Sequence, residues 1–170
     1  MTKPATDISA ARRIAEQVHD PELPVLTLAD LGVLREVTAD GDRVIVAITP
    51  TYSGCPALET MRADLRTRLT AAGFAEVEIR TVLSPPWTTD WITDEGRRKL
   101  AEHGIAPPDR LGPRPTGPVP LRLEPPASRV HCPRCGSPNT VELSRFGATA
   151  CKALRRCEQC QEPFEHVKEI

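Results

Sequence analysis

The chain has 170 residues, 39% of them hydrophobic and 4% aromatic, and a formal net charge of −1. This composition favours two small units over one large core, and the balanced charge argues against a strongly basic nucleic-acid-binding protein. The N-terminus has no apolar signal segment, and no apolar run is long enough to span a membrane. We therefore expect a cytoplasmic protein with reduced thiols and no membrane partner.

The first predicted element is a helix, because apolar residues recur at spacings of three and four after Asp7. Asp7 or Ser9 is expected to cap its N-terminus. Asp20-Pro21-Glu22 is expected to end it, since proline disfavours helical geometry at the residue before it. The apolar positions of this helix are Ile8, Ala11, Ile14, Ala15 and Val18.

Two strands are predicted next, at residues 33–37 and 43–48, joined by a loop at 38–42. The Asp40-Gly41 pair in that loop is a hairpin signal. A second helix at 56–72 leads to a third strand at 77–83. Because strand, helix and strand follow in order, we expect the second and third strands to pair in parallel through a right-handed crossover.

A short helix capped by Thr93 or Asp94 closes this part of the chain, which gives an α+β fold for residues 1–105. Prolines then crowd residues 107–126, where they disfavour a helix or a central strand. This pattern predicts a linker over residues 106–128, although the alternating Val119, Leu121 and Leu123 leave an edge strand open. Residues 129–170 form the last predicted domain.

Two C-x-x-C pairs lie in that last domain, and their spacing is typical of a structural zinc site. The four predicted ligands are Cys132, Cys135, Cys157 and Cys160. Short strands at 140–143 and 151–156 between the pairs indicate a zinc ribbon, in which the metal replaces a core that is too small. Disulfides or redox centres are less favoured, because the pairs lie in a loop-rich segment of a chain expected to be reduced. Cys151 is expected to pack internally or to substitute for one ligand.

A further cysteine, Cys55, lies where the loop after the second strand enters the second helix. The unpaired amides and the helix dipole at that position are expected to lower the pKa of the thiol and to make it a nucleophile or a soft metal ligand. From the residues alone, a small buried hydrophobe is an equal alternative. His19 is a less favoured partner of Cys55 in a metal site.

Three carboxylates of the first domain, Asp20, Glu22 and Asp30, are candidates for hard ligands or for a base. The favoured alternative is structural. Asp20 would form an Asx turn after the first helix, and Asp30 would cap the turn at Leu31-Gly32.

The motifs of residues 8–105 resemble the iron-sulfur assembly domain of SufT-like proteins. The motifs that carry the resemblance are Asp20-Pro21-Glu22-Leu23-Pro24, Asp30-Leu31-Gly32-Val33, Thr49 and Cys55-Pro56. With the proline-rich linker and a ribbon that contains Phe146-Gly147-Ala148-Thr149-Ala150-Cys151-Lys152, the whole chain is similar to the PaaD family. That family is encoded with the phenylacetyl-CoA epoxygenase of aerobic phenylacetate breakdown.

The resemblance implies a non-catalytic accessory protein whose partners are the oxygenase subunits and an iron-sulfur flavin reductase; a homodimer is left open. It implies that Cys55 handles a transient iron-sulfur cluster or iron, supported by Asp20, Glu22, Asp30 and Thr49, beside a structural zinc. Two other functions remain open from the residues. One is a nucleic-acid-binding or docking module that uses Arg145, Lys152, Arg155 and Arg156. The other is a thiol enzyme in which His19 or His103 activates Cys55.

Overall fold

The computed structural model describes residues 7–52, 54–110 and 130–169. It divides into two compact units, Met1–Gly96 and Arg97–Ile170. No helix in the described ranges is long and apolar enough to cross a membrane. Most of the predicted linker, including its alternative strand at Val119, Leu121 and Leu123, lies outside the described residues, and its boundaries stay predictions.

The first unit combines two helices and the start of a third with a three-stranded sheet, so the predicted α+β fold is confirmed. The third helix runs across the division between the two units. The elements are α1 (Ile8–Glu16), β1 (Leu34–Asp40), β2 (Arg43–Ile48), α2 (Ala57–Ala71), β3 (Glu76–Thr81), a short 3₁₀ helix (Thr89–Trp91) and α3 (Asp94–Glu102).

The sheet has the order β1-β2-β3. Val46 at its centre lies opposite Val37 of antiparallel β1 and opposite Ile79 of parallel β3, which confirms the predicted parallel pairing. The predicted five-residue hairpin loop is wrong. β1 continues to Asp40, which pairs with Arg43, and the turn is only two residues long. Gly41 has a φ of 60°, which a side chain would disfavour.

Helix α1 begins as predicted but ends earlier. Asp7 accepts a hydrogen bond from the Ala10 amide at 3.0 Å, so the predicted cap is confirmed. The helix ends at Glu16, and the amide of Val18 bonds the carbonyl three residues back. The stop predicted at residues 20–22 is therefore wrong, because the chain has left the helix before it reaches them. Ile8 is 39% exposed and does not belong to the buried face.

The core of the first unit lies between the sheet and its helices. Strand β2 is buried from Val44 to Ile48 because it is the central strand and helix α1 packs on it. Helix α2 contributes Met61, Leu65 and Leu69 at helical spacing. Trp87 is buried as well, and its indole nitrogen donates to the carbonyl of Leu31 at 2.9 Å. The residues 1% exposed or less in the segments between α1 and β1 are Val18, Leu26, Leu28, Leu31 and Val33.

The second unit has a four-stranded sheet in the order β4-β7-β6-β5. Its strands are β4 (Ile105–Ala106), β5 (Thr140–Ser144), β6 (Lys152–Cys157) and β7 (Pro163–Val167). The two predicted ribbon strands correspond to β5 and β6, whereas β4 and β7 were not predicted. Strand β4 pairs in parallel with β7, and Ile105 lies opposite Glu165.

Two of the four cations in the predicted basic surface of the ribbon are buried. Lys152 pairs with Glu165 at 2.8 Å, and Arg155 lies 3.6 Å from a carboxylate oxygen of Glu142. The sheet therefore covers and neutralises these cations, because β6 is a central strand. That part of the prediction is wrong, and the case for a phosphate-binding surface is correspondingly weaker.

Candidate metal centre and thiol site

The four cysteines of the two C-x-x-C pairs meet in the second unit. Their sulfur atoms all lie within 4.8 Å of one another. The Cys132 and Cys160 sulfurs are 3.7 Å apart, and those of Cys135 and Cys157 are 3.6 Å apart. A tetrahedral zinc ion with Zn–S bonds of about 2.3 Å requires sulfur–sulfur distances of about 3.8 Å. Both the donor set and its spacing therefore fit zinc.

Each knuckle is shaped by its own backbone. In the first, the Gly136 amide donates to the carbonyl of Cys132 at 2.9 Å, and Gly136 has a φ of 72°. In the second, the Cys160 amide lies 3.5 Å from the sulfur of Cys157. That amide, together with the Gln159 amide and the thiols of Cys135 and Cys160, lowers the pKa of the Cys157 thiol to about 6, which favours the thiolate that a metal requires.

The two ligand pairs differ in burial. Cys132 and Cys157 are 1% and 0% exposed and belong to a small apolar cluster, whereas Cys135 and Cys160 are exposed. The other members of the cluster are Ala106, Val130 and Phe164. An ion held by these thiols would therefore join the core of the unit to its surface.

Two alternative roles of the cysteines, disulfide pairing and a ligand role for Cys151, are not supported. All six cysteines are free thiols, so no disulfide links the two pairs. Cys151 is buried outside the four-sulfur group, and its sulfur lies 3.1 Å from the hydroxyl of Thr149. This position agrees with the predicted packing role of Cys151.

The thiol of Cys55 lies between the end of β2 and the start of α2, as predicted, and it is 8% exposed. Burial raises its pKa against a lowering by the Ala57 amide, and the charges of Glu22 and Asp20 raise the pKa further. The predicted lowering of the pKa is therefore wrong. Desolvation and two carboxylates outweigh the amide at the helix start.

The carboxylates of Asp20 and Glu22 are thus near enough to act on the Cys55 thiol. Asp20 also accepts hydrogen bonds from the amides of Glu22 and Leu23 at 2.7 and 2.8 Å, which agrees with the predicted Asx turn. Thr51 also acts on Cys55, by a side-chain hydrogen bond that lowers the pKa of the thiol. Thr51 was not predicted. The sequence feature that could have identified it is a hydroxyl side chain in a polar loop, four residues before the candidate thiol.

Two other predicted site residues have structural contacts. Asp30 accepts from the Thr27 amide at 2.9 Å, and its own amide donates to the Thr27 hydroxyl at 3.0 Å. These contacts agree with the predicted structural role of Asp30, although the amides of Leu31 and Gly32 donate to the carbonyls of Thr27 and Ala29. Thr49 is 2% exposed, and its amide donates to Val33.

His19, the less favoured partner of Cys55, is exposed and forms an isolated bridge with Thr27. Among the described residues, the four-sulfur group is the only cluster of three or more potential metal ligands, and it includes neither His19 nor Cys55. The described part of the chain therefore provides no preformed metal site at Cys55.

The raised pKa leads to a testable pH dependence for alkylation of Cys55. Only the thiolate reacts, and its fraction falls tenfold for each pH unit below the pKa. With a pKa above that of a free thiol, about 8.5, the rate should rise about tenfold per unit from pH 6.5 to pH 8.5. Peptide mass mapping after iodoacetamide treatment measures the rate, and the same peptide in denaturant is the control. A rate that is flat above pH 7 would mean that the thiol is already ionised.

Comparison with known proteins agrees with the two units. Residues 9–80 match a family model described as iron-sulfur cluster assembly protein, and residues 116–168 match one described as PaaD zinc beta ribbon domain. Over 155 residues the chain is 46% identical to an Escherichia coli K12 protein named as a subunit of 1,2-phenylacetyl-CoA epoxidase. The match covers 91% of this chain and 88% of that protein.

The chain belongs to the PaaD family of phenylacetyl-CoA epoxidase subunits. Its first part is also 32% identical over 90 residues to an Fe-S protein maturation auxiliary factor of Porphyromonas gingivalis, covering 52% of this chain and 85% of that protein. A solved structure of the domain of unknown function DUF59 from Bacillus anthracis is 28% identical, with a TM-score of 0.51 over 55% of this chain and 90% of that one. The predicted family resemblance is thereby confirmed.

Proposed function

We propose that the protein is a non-catalytic accessory subunit of the phenylacetyl-CoA epoxidase system. It assists the assembly or insertion of an iron-sulfur or di-iron centre in a partner subunit. The observation that carries the proposal is the buried Cys55 thiol at the start of α2, on which the carboxylate charges of Asp20 and Glu22 act. The iron-sulfur assembly model that matches residues 9–80 supports it.

The electrostatics of Cys55 suit a transient ligand better than a nucleophile. At neutral pH the two carboxylates and burial keep the thiol protonated, so a resting thiolate is disfavoured. An incoming iron cation reverses this balance. Its charge is attracted by Asp20 and Glu22, and its binding displaces the thiol proton. The cost of displacing that proton lowers the affinity for the cation, which is the direction that release to a partner requires.

The ribbon has a separate role in this proposal. Cys132, Cys135, Cys157 and Cys160 hold a structural zinc ion, because a closed set of four thiolates leaves no position open for a substrate. The zinc closes the small core of the second unit. A reducing cytoplasm keeps all four thiols available for the metal.

The partners follow from the family. The name of the Escherichia coli relative, an epoxidase subunit, supports the oxygenase subunits as the first expected clients. The iron-sulfur flavin reductase, which the family resemblance implies, is the second. A homodimer of this chain is compatible with the same role. The nucleic-acid alternative is weaker, because Lys152 and Arg155 are buried in ion pairs.

The test is Cys55→Ala in cells that co-express the epoxidase subunits and the reductase. We expect the iron and cluster content of one client to fall several-fold, because the transient ligand is lost. Metal analysis and absorption spectra of the purified clients measure the effect. Cys151→Ala is the matched control, since that thiol is also buried but lies outside both sites, and it should leave the clients fully loaded. Unchanged metal content with Cys55→Ala would leave the chain as a docking protein without metal delivery.

A further inference from the structure

The end of the ribbon around Phe146 takes no part in the zinc site or in the Cys55 site. Phe146 is 68% exposed, and Leu143, at the register shift in edge strand β5, is 49% exposed. Isolated exposed apolar residues are ordinary. Phe146 differs because a lysine ammonium lies over its ring and because Leu143, three residues earlier, is exposed as well. We define the Phe146 surface as Leu143, Arg145, Phe146 and Lys168.

The turn that carries Phe146 is fixed by hydrogen bonds on both of its sides. The hydroxyl of Ser144 donates to the Phe146 carbonyl at 2.8 Å and accepts from the Phe146 amide at 3.2 Å. The Gly147 amide donates to the Lys152 carbonyl at 2.7 Å. The backbone that carries the exposed ring is therefore fixed before any partner arrives, and this lowers the entropy cost of binding.

A buried ion pair supports the same turn. Lys152 and Glu165 lie 2.8 Å apart, and the lysine side chain is only 7% exposed. The same carboxylate accepts a hydrogen bond from the Ala148 amide at 3.3 Å. Buried ion pairs contribute little net stability compared with apolar packing, so this pair is better explained by what it positions. It anchors the turn beneath the Phe146 surface.

The charge of the surface is positive. The ammonium group of Lys168 lies 4.7 Å from the centre of the Phe146 ring and donates to the Arg145 carbonyl at 3.1 Å. Within the described residues, neither Arg145 nor Lys168 has an ion-pair partner, and the nearby Glu165 already pairs with Lys152. A binding partner must therefore supply both an apolar cleft and carboxylates.

We propose that the Phe146 surface docks the chain on an acidic face of another phenylacetyl-CoA epoxidase subunit. Phe146 enters an apolar cleft there, and Arg145 and Lys168 pair with carboxylates around it. The inference rests on the proposed function, which supplies the partner. A protein is favoured over nucleic acid because two cations are few for a surface that follows a phosphate backbone.

The experiment uses the full zinc-loaded chain and the purified oxygenase subunits, with affinity measured by titration calorimetry. Phe146→Ser should weaken binding by about tenfold to a hundredfold, as expected for the loss of a central aromatic anchor. Its zinc content and melting temperature should stay at the wild-type values, because the ring is exposed. The matched control is Leu83→Ser. Leu83 is 66% exposed in the other unit, so its variant should bind like the wild type.

Charge reversal gives a second measurement. Arg145→Glu should slow association by about tenfold at low salt and reduce the salt dependence of the association rate, because steering by the positive surface is lost. Equal affinities of Phe146→Ser and wild type would overturn the docking surface. A wild-type dimer that Phe146→Ser converts to a monomer would also overturn it, because the surface would then bind a second copy of the chain. Binding of a labelled single-stranded polynucleotide that only this variant loses would overturn it as well.

The same reagents separate the docking proposal from the proposed function. If Phe146→Ser abolishes binding while client metal content is unchanged, the docking surface stands and metal delivery fails. If Phe146→Ser binds normally and Cys55→Ala still lowers the client metal content, metal delivery stands and the docking surface fails. Cys55→Ala should itself bind the oxygenase subunits with wild-type affinity.

Discussion

Cys135→Ser is expected to release the zinc ion and to unfold the sheet of the second unit. Structural zinc sites contribute an apparent binding free energy of about 10–16 kcal/mol, which equals or exceeds the whole stability of a typical domain, about 5–15 kcal/mol. Cys135 is the informative ligand because it is exposed, so its replacement by serine removes little packing. Elemental analysis measures the zinc, and hydrogen exchange of β5, β6 and β7 measures the unfolding.

The matched control for this prediction is Cys151→Ser, which removes a buried thiol outside the four-sulfur group. It should retain one zinc ion per chain and lose only the packing contribution of one sulfur atom. Tryptophan fluorescence is an internal control that reports the folding of the first unit, because both tryptophans, Trp87 and Trp91, lie there. Full zinc occupancy in Cys135→Ser would remove Cys135 from the ligand set.

The parts of the fold that were predictable are those encoded by nearby residues. The parallel pairing of β2 and β3 follows from a strand, an amphipathic helix and a strand in order, and the four-sulfur group follows from two C-x-x-C spacings. Strands β4 and β7 were missed for a physical reason. β4 is two residues long, and β7 begins with Pro163, so neither has a periodicity that marks a strand.

The charge state of Cys55 shows the limit of local reasoning at the candidate site. The sequence places the thiol correctly at the start of a helix, and the local amides alone would lower its pKa. Its burial is set by the fold, and the charges of Asp20 and Glu22 come from residues more than thirty positions earlier. Asp30 illustrates the same limit, because its side chain had alternative amides within reach and bonded Thr27.

Gly32→Ala is expected to destabilise the first unit by about 2–5 kcal/mol. Gly32 has a φ of 68°, where a side chain costs about 1–2 kcal/mol. A Cβ atom there would also lie 2.7 Å from both the Cβ and the carbonyl oxygen of Trp91, a contact closer than real Cβ atoms allow. Overpacking of this kind adds about 1–3 kcal/mol.

The contact partner at Trp91 cannot move easily. Its amide donates to the Thr88 carbonyl at 3.0 Å, and the guanidinium of Arg35 lies 3.7 Å from the centre of its ring. The neighbouring Trp87 is tied to the carbonyl of Leu31, directly before Gly32, at 2.9 Å. Relief of the clash would therefore require movement of backbone on both sides of the contact.

Alanine variants of two other glycines separate the cost of backbone strain from the cost of the steric contact. Urea unfolding followed by tryptophan fluorescence measures both. Gly41 also has a positive φ, 60°, but no atom lies within 4 Å of the Cβ that alanine would add. Gly41→Ala should therefore lower the free energy of unfolding by only about 1–2 kcal/mol. Gly96→Ala places a Cβ 2.9 Å from the Asp30 carbonyl oxygen without a positive φ. Because Gly96 lies in α3, this variant should show the overpacking cost reduced by the roughly 0.5–1 kcal/mol that alanine gains over glycine in a helix. If Gly32→Ala costs no more than Gly41→Ala, the loss is backbone strain alone, and the Trp91 segment moves aside for the added methyl group without measurable cost.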